Sequence, residues 1–203
     1  MYRIRFHGRG GQGMKTASRI LGTAFFLEGY EIQDAPLYGA ERRGAPIFAY
    51  VRADRETIHE RGIITNPDLV IVADDSLVPI AAAGVLNGVD EHTVMLINSD
   101  EPASLWQQRL NVKGQIFTLP AEARSRDELR FLGATCTGAA ACLLGAISAA
   151  RLQQAIEQEL AALGSEVIEK NVHQALHAFD LMAEQAGIVS EREKTSAATY
   201  QSP

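Results

Sequence analysis

Along residues 2–7, apolar Tyr2, Ile4 and Phe6 alternate with polar Arg3, Arg5 and His7, the period-two pattern of a β-strand. A glycine-rich turn follows at 8–13, and residues 14–28 then place Ala17, Ile20, Leu21, Ala24 and Phe25 on one helical stripe. Gly29 suits a helix C-cap, 30–34 reads as a second strand, and Pro36 is expected to end it. Residues 46–53 alternate again. The polar loop before them offers no crossover helix, so this third strand is expected to be antiparallel and at an edge. Residues 68–73 (DLVIVA) are apolar and β-branched after the aspartate, as in a central strand buried on both faces. Strands at 93–97 and 115–119, with short helical segments at 76–83 and 103–109, complete the alternation. It predicts an α/β fold: a mostly parallel open sheet flanked by helices, a Rossmann-like three-layer arrangement.

From Thr137 the pattern becomes helical only. Residues 139–150 are small and apolar all round, as in a helix enclosed by other elements, and Leu152, Ile156, Leu160 and Leu163 form the next stripe. Gly164 punctuates, after which Val167, Ile168, Val172, Leu176 and Phe179 carry a further amphipathic helix to about 186. A single domain is expected over 1–187. The polar stretch 188–203 is expected to be a tail, packed on a partner chain or disordered.

The chain has 203 residues, with 19 Lys and Arg against 25 Asp and Glu, a net charge of −6. That balance removes the basic footprint of a nucleic-acid binder. The two cysteines, Cys136 and Cys142, form no CxxC, and no His or Cys set has metal-ligand spacing, so no cluster, zinc or disulfide framework is expected in this chain. Nowhere do about 18 apolar residues run together, which excludes a helical membrane span. The first residues lead straight into a strand without the apolar core of an export signal, so a cytoplasmic protein is expected.

Gly8-Arg9-Gly10-Gly11-Gln12-Gly13 satisfies GxGxxG, directly after a strand and opening a helix. Glycines let a ligand approach the backbone, and free amides at a helix start favour an anion. Asp34 lies about 20 residues on, where a dinucleotide-binding fold places its ribose-gripping acid, so NAD or FAD is permitted. Tight strand-to-helix packing alone would also account for the glycines. A P-loop is excluded, because Lys15 stands one residue too far along and is rotated about 100° from the phosphate position. A second constellation, Tyr38-Gly39-Ala40-Glu41-Arg42-Arg43-Gly44, sets two arginines in a glycine-flanked loop. Their planar forks suit phosphate or carboxylate, and equally a pairing with Glu41 or with acids on a neighbouring chain.

GRGGQG, the helix after it, EGYEIQDAPLYGAERRGAP and the strand VRAD together resemble the gamma subunit, or gamma domain, of the 2-oxoacid:acceptor oxidoreductases of the pyruvate:ferredoxin type. The resemblance runs from Tyr2 to about Ala186, and its specific part is 8–52. It implies a multi-subunit oxidoreductase that decarboxylates a 2-oxoacid to an acyl-coenzyme A and passes electrons to ferredoxin or another acceptor. Thiamine diphosphate with Mg would lie between alpha and beta subunits, and 4Fe–4S clusters in beta and a ferredoxin-like delta chain. The gamma part would assist assembly and share the coenzyme A site, with Gly10, Gly11, Gln12 and Gly13 as a backbone cradle. Gln12 would donate a side-chain hydrogen bond, and Arg42 and Arg43 would supply charge. Many relatives carry an Asn at the start of the small-residue helix, where this chain reads Cys136-Thr137-Gly138-Ala139.

Other candidates read more plainly. His173 and His177 share a helical face but lack the Glu of HExxH and a third ligand, so no metal is expected. His7 is read as a core histidine, Asp74 and Asp75 as caps for a helix at Ser76, and Trp106 as core or interface. No GxSxG, no Cys/His nucleophile set and no general base is evident, so no catalytic residue is assigned. A free-standing NAD or FAD oxidoreductase and a purely structural assembly subunit remain as alternatives.

Overall fold

The computed structural model describes residues 1–37, 45–120 and 131–192. Six strands, β1 (Tyr2–Arg9), β2 (Glu31–Leu37), β3 (Pro46–Asp54), β4 (Leu69–Val72), β5 (Val94–Asn98) and β6 (Gln115–Leu119), form one sheet in the order β2-β3-β1-β4-β5-β6. β3 pairs antiparallel with both β1 and β2, while β1, β4, β5 and β6 are joined by parallel pairs. The expected mostly parallel α/β sheet is therefore present. The helices are α1 (Met14–Leu27), α2 (Ala103–Leu110), α3 (Leu132–Leu144), α4 (Ala149–Glu159) and α5 (Ser165–Leu181).

The layers are unequal. Even-numbered β1 residues Tyr2, Ile4 and Phe6 face the large core built with α1, α3, α4 and α5, whereas Val70, Val72, Met95 and Ile97 face a smaller one closed by Trp106 of α2. The polar positions of β1 are also covered: Arg3, Arg5 and His7 are all buried. Arg5 donates to the carbonyls of Val85 at 2.8 Å and Asn87 at 2.6 Å, and burial lowers its pKa to about 10. Among the described residues no helix is long and apolar enough to cross a membrane.

Several boundaries differ from expectation. β2 continues through Pro36 to Leu37, because it is the outer strand of the sheet and an edge strand tolerates a residue without an N–H. β3 is antiparallel as expected but lies between β2 and β1 rather than at the edge. The segment 76–83 forms two single 3-10 turns, Asp75–Leu77 and Ala81–Ala83, separated around Pro79, which cannot donate a helical hydrogen bond. The small-residue helix begins earlier and stops at Leu144, where Gly145 takes the left-handed conformation at φ 64°. Ser148 then caps α4 by accepting from the Arg151 amide.

Contacts with the rest of the chain continue past 187. The Val189 amide donates to the Leu143 carbonyl at 3.0 Å, and its side chain is buried. Arg192 reaches Asp68 at 2.7 Å and Asp90 at 2.6 Å. Residues 188–192 thus pack on this chain, and 193–203 lie outside the described residues.

Candidate functional site

The turn between β1 and α1 is closed by its own side chains. The Gln12 amide donates to the Arg9 carbonyl at 3.0 Å, and the Gly10 amide donates to the Ala45 carbonyl at 3.0 Å. Gly11 and Gly13 have φ of 99° and 76°, values that favour glycine. Gln12 also braces the turn from within. Its Oε1 accepts from the Arg9 amide at 2.6 Å and its Nε2 donates to Asp74 at 3.2 Å, so the carboxamide clamps the turn. Gly13 is the N-cap of α1 and supplies no side-chain cap, so the first-turn amides face outward without one.

This turn lies where open α/β sheets place ligands. β1 and β4 are parallel neighbours, and from their C-terminal ends the chain leaves toward opposite edges of the sheet, to β2 by α1 and to β5. The crevice between them holds an ion pair: Arg9 Nε meets Asp74 Oδ2 at 2.9 Å, and an Arg9 Nη donates to Ser76 Oγ at 2.8 Å. Asp74 also caps the following 3-10 turn by accepting from the Ser76 amide at 3.1 Å, as expected. Burial raises its pKa, but the hydrogen bonds from Ser76, Arg9 and Gln12 outweigh that and hold it below the usual carboxylate value. Asp75 accepts from Ser99 Oγ at 2.6 Å, and Ser99 in turn accepts from the buried Trp106 indole at 3.1 Å. Arg9 escapes sequence reading because it fills a free position of GxGxxG.

A cavity of about 630 Å³ opens beside Gly13. Thr16 of α1, Gly133 and Ala134 of α3, and Val167 and Asn171 of α5 line it. Spacing along the chain gives no sign of it, since its walls are assembled from segments more than 100 residues apart.

The remaining candidates fall elsewhere. Asp34 sits on β2, separated from β1 by β3, and accepts from Ser18 Oγ at 2.9 Å, so it is not placed to grip a ribose at the glycine turn. His7 is a core histidine: its Nδ1 lies 3.1 Å from the Ala83 carbonyl, and burial lowers its pKa to about 3. Cys136 and Cys142 are free and buried, and His173 and His177 are exposed on α5. Among the described residues no group of three or more His, Cys, Asp or Glu gathers to hold a metal. Tyr38, Arg42 and Arg43 lie outside the described residues, although the neighbouring Ala45 is bonded to the glycine turn through Gly10.

Residues 3–181 match the pyruvate ferredoxin/flavodoxin oxidoreductase family. The chain is 34% identical over 183 residues to the pyruvate/ketoisovalerate oxidoreductases common subunit gamma of Pyrococcus furiosus, covering 89% of this chain and 96% of that one. It is 34% identical over 189 residues to the pyruvate synthase subunit PorC of Methanocaldococcus jannaschii, covering 92% and 100%. The crystal structure of the pyruvate oxidoreductase subunit PORC of Thermotoga maritima superposes with a TM-score of 0.73 at 28% identity, over 88% of this chain and 95% of that one. A 2-oxoglutarate:ferredoxin oxidoreductase of Magnetococcus marinus, solved with 2-oxoglutarate, coenzyme A and succinyl-CoA bound, shares the fold over 32% of its chain, with a TM-score of 0.66 at 20% identity and 95% of this chain covered. The chain belongs to the pyruvate ferredoxin/flavodoxin oxidoreductase family. Within it, the chain is a gamma-type subunit, one component of a multi-subunit 2-oxoacid oxidoreductase.

Proposed function

We propose that this gamma subunit serves the oxidative decarboxylation of a 2-oxoacid to an acyl-coenzyme A by holding coenzyme A at Gly10, Gly11, Gln12 and Gly13. Alpha and beta subunits, with a ferredoxin-like delta chain, carry thiamine diphosphate, Mg and 4Fe–4S clusters and pass electrons to ferredoxin or another acceptor, in the cytoplasm. The observation that carries the reading is the uncapped start of α1, set behind a positive-φ glycine turn at the switch point of the sheet. Backbone amides and the positive end of the helix dipole there favour a diphosphate. When bound, coenzyme A supplies the thiol that takes the acyl group.

This chain's residues bind and orient. Gln12 and Asp74 fix the shape of the turn, and Arg9 keeps a guanidinium within the crevice. Arg42 and Arg43 are proposed to add charge from the loop that rejoins the sheet at Ala45. The place of Asp34 disfavours the NAD or FAD alternative. The test is the KM for coenzyme A of the purified complex carrying Gly11→Val, which adds bulk at the proposed cradle, and separately Arg43→Ala. Both are expected to raise it with the 2-oxoacid KM steady. If neither does so in an assembled complex, the ligand role is lost and assembly alone remains.

A further inference from the structure

We propose that the Asn87–Gly88 step is a self-modifying site. The Gly88 amide nitrogen closes on the Asn87 carboxamide, ammonia leaves, and water opens the ring to aspartate or isoaspartate, with buried Arg5 activating the step through the Asn87 carbonyl oxygen.

The chain holds five asparagines, Asn66, Asn87, Asn98, Asn111 and Asn171, and only Asn87 is followed by glycine. The following residue matters because its nitrogen must reach the side-chain Cγ, and a Cβ there obstructs the approach. Asn87 and Gly88 are both exposed. They are the central pair of a turn in which the Val89 amide donates to the Leu86 carbonyl at 3.2 Å, and Gly88 has φ 67°. Among the described residues no protein group bonds to the Asn87 carboxamide or to the Gly88 amide. Other asparagines are held or blocked. Asn98 donates to the Ala73 carbonyl at 3.1 Å and Asn171 to the Val167 carbonyl at 2.7 Å, and Asn66 precedes Pro67, which has no amide hydrogen to lose.

Arg5 supplies the second observation. The Asn87 carbonyl oxygen and the Gly88 nitrogen are two ends of one conjugated peptide group, so removing the N–H proton places negative charge on that oxygen. Arg5 Nη1 donates to it at 2.6 Å. Arg5 is only 3% exposed, its other acceptors are the Val85 and Ile64 carbonyls, and among the described residues no carboxylate pairs with it. Negative charge developing on a neutral acceptor stabilises such a cation, and the cation stabilises the charge in return. A pKa of about 10 keeps the guanidinium charged at neutral pH.

The steps balance with water alone. Solvent base takes the Gly88 proton, the nitrogen bonds to Cγ of Asn87, the Cγ–Nδ2 bond breaks, and Nδ2 takes a proton from solvent and leaves as ammonia. Water then adds to either ring carbonyl. Breaking one C–N bond gives aspartate at 87 in the original chain, and breaking the other gives isoaspartate, whose main chain runs through Cβ. The two products differ in consequence. Aspartate leaves the main-chain carbonyl on Arg5. Isoaspartate lengthens the main chain, and Gly88 has no room to absorb the shift, since even a Cβ there would run into the Thr65 carbonyl oxygen.

The test incubates the purified full chain near pH 8 and maps its peptides by mass. A gain of about 1 Da should appear at Asn87 before any other asparagine, with part of it labelled by an isoaspartyl methyltransferase. No gain there, or an earlier one elsewhere, would overturn the site. Asn87→Asp should unfold at the parent's urea midpoint and the isoaspartate fraction at a lower one, and equal midpoints would overturn the stated consequence. Arg5→Met, checked for parent-like circular dichroism, should slow the gain about tenfold, the low range for a hydrogen bond to a charged group. A loosened loop would hasten the reaction instead, so an unchanged or faster gain would overturn the part given to Arg5. If Arg5→Met does not fold, solvent exchange of the Gly88 amide hydrogen in the parent decides, because it passes through the same anion. It should be faster in the folded chain than in the urea-unfolded one, and slower exchange would remove Arg5 from the mechanism.

Discussion

A Cβ placed on Gly138 would lie 1.9 Å from the carbonyl oxygen of Ala175, so α3 and α5 touch backbone to backbone at that point. Ala175 is one turn beyond Asn171, and the contact sets the distance between the two helices that wall the cavity. Small side chains along α3, including buried Ala134, Cys136, Ala139, Ala140 and Ala141, continue the close approach on every side of that helix.

Gly138→Ala should therefore destabilise the subunit, although alanine is the better helix former by about 1 kcal/mol. Displacing α5 is expected to cost about 1–3 kcal/mol net, the usual range for an overfilled core. Urea unfolding of the purified subunit measures it. A variant as stable as the parent would show that the helices are farther apart than described.

Removing Arg192 tests whether 188–192 belongs to the domain. Its Nε donates to Asp68, which is fully buried, and its Nη atoms reach Asp90, the Pro67 carbonyl and Thr93. Arg192→Ala leaves the Asp68 carboxylate without its charged partner, and about 3 kcal/mol of stability should be lost near pH 8. Burial pushes the Asp68 pKa up to about 6, against the opposing bonds from the Arg3 amide and Arg192. The folded value exceeds the unfolded one, so this group's contribution to stability falls as pH rises from about 4 to about 6. Protonated Asp68 needs no counter-charge. The penalty of Arg192→Ala should accordingly be smaller at pH 5 than at pH 8, and a pH-independent penalty would contradict this account.

Arg9 and Asp74 allow the charge of the crevice to be changed without altering the glycines. Arg9→Ala leaves a carboxylate at the switch point held, among the described residues, by Gln12 and Ser76. A unit charge acting over about 5 Å in a partly wet site is worth about 1–3 kcal/mol, so the KM for coenzyme A should rise about tenfold. Asp74→Asn changes the charge in the opposite direction and should lower it. Both effects should shrink as salt is added. A rise in KM from both substitutions would mean that the pair only shapes the turn.

These tests also mark what sequence could show. The β1–turn–α1 unit was legible almost residue by residue, because alternation, the glycines and the stripe through Ala17, Ile20, Leu21, Ala24 and Phe25 each have a local cause. The break at Gly145 was less visible, since small apolar residues flank it and only the left-handed backbone shows the helix ending. Burial of Arg3, Arg5 and Arg52 was illegible: a polar face on a strand reads as wet, and it stays dry here because Glu60 and backbone carbonyls from distant loops cover it. The same limit hid Arg9 with Asp74 and Asn171 near Gly13. Each pairing is made by the fold across chain separations that carry no spacing signal.

His7 gives a pH test of the core. Its Nδ1 lies beside the Ala83 carbonyl, which only accepts, so Nδ1 carries the hydrogen, and Nε2 is buried without a partner. Burial, with the Arg5 charge adding to it, lowers the ring's pKa to about 3. The folded value lies below the unfolded value of about 6.5, so the unfolded chain takes up the proton first. The stabilising contribution is complete above pH 6.5 and is lost as pH falls from there toward 3. His7→Asn can keep an N–H toward the Ala83 carbonyl while removing the titrating ring. It should cost about 1–3 kcal/mol at pH 7, from lost packing against Phe48. Between pH 6 and 4 its stability should fall less steeply than the parent's, by about 1.4 kcal/mol per pH unit, the worth of one proton. Denaturant unfolding at each pH gives both slopes, and equal slopes would show that His7 titrates alike in the folded and unfolded chains.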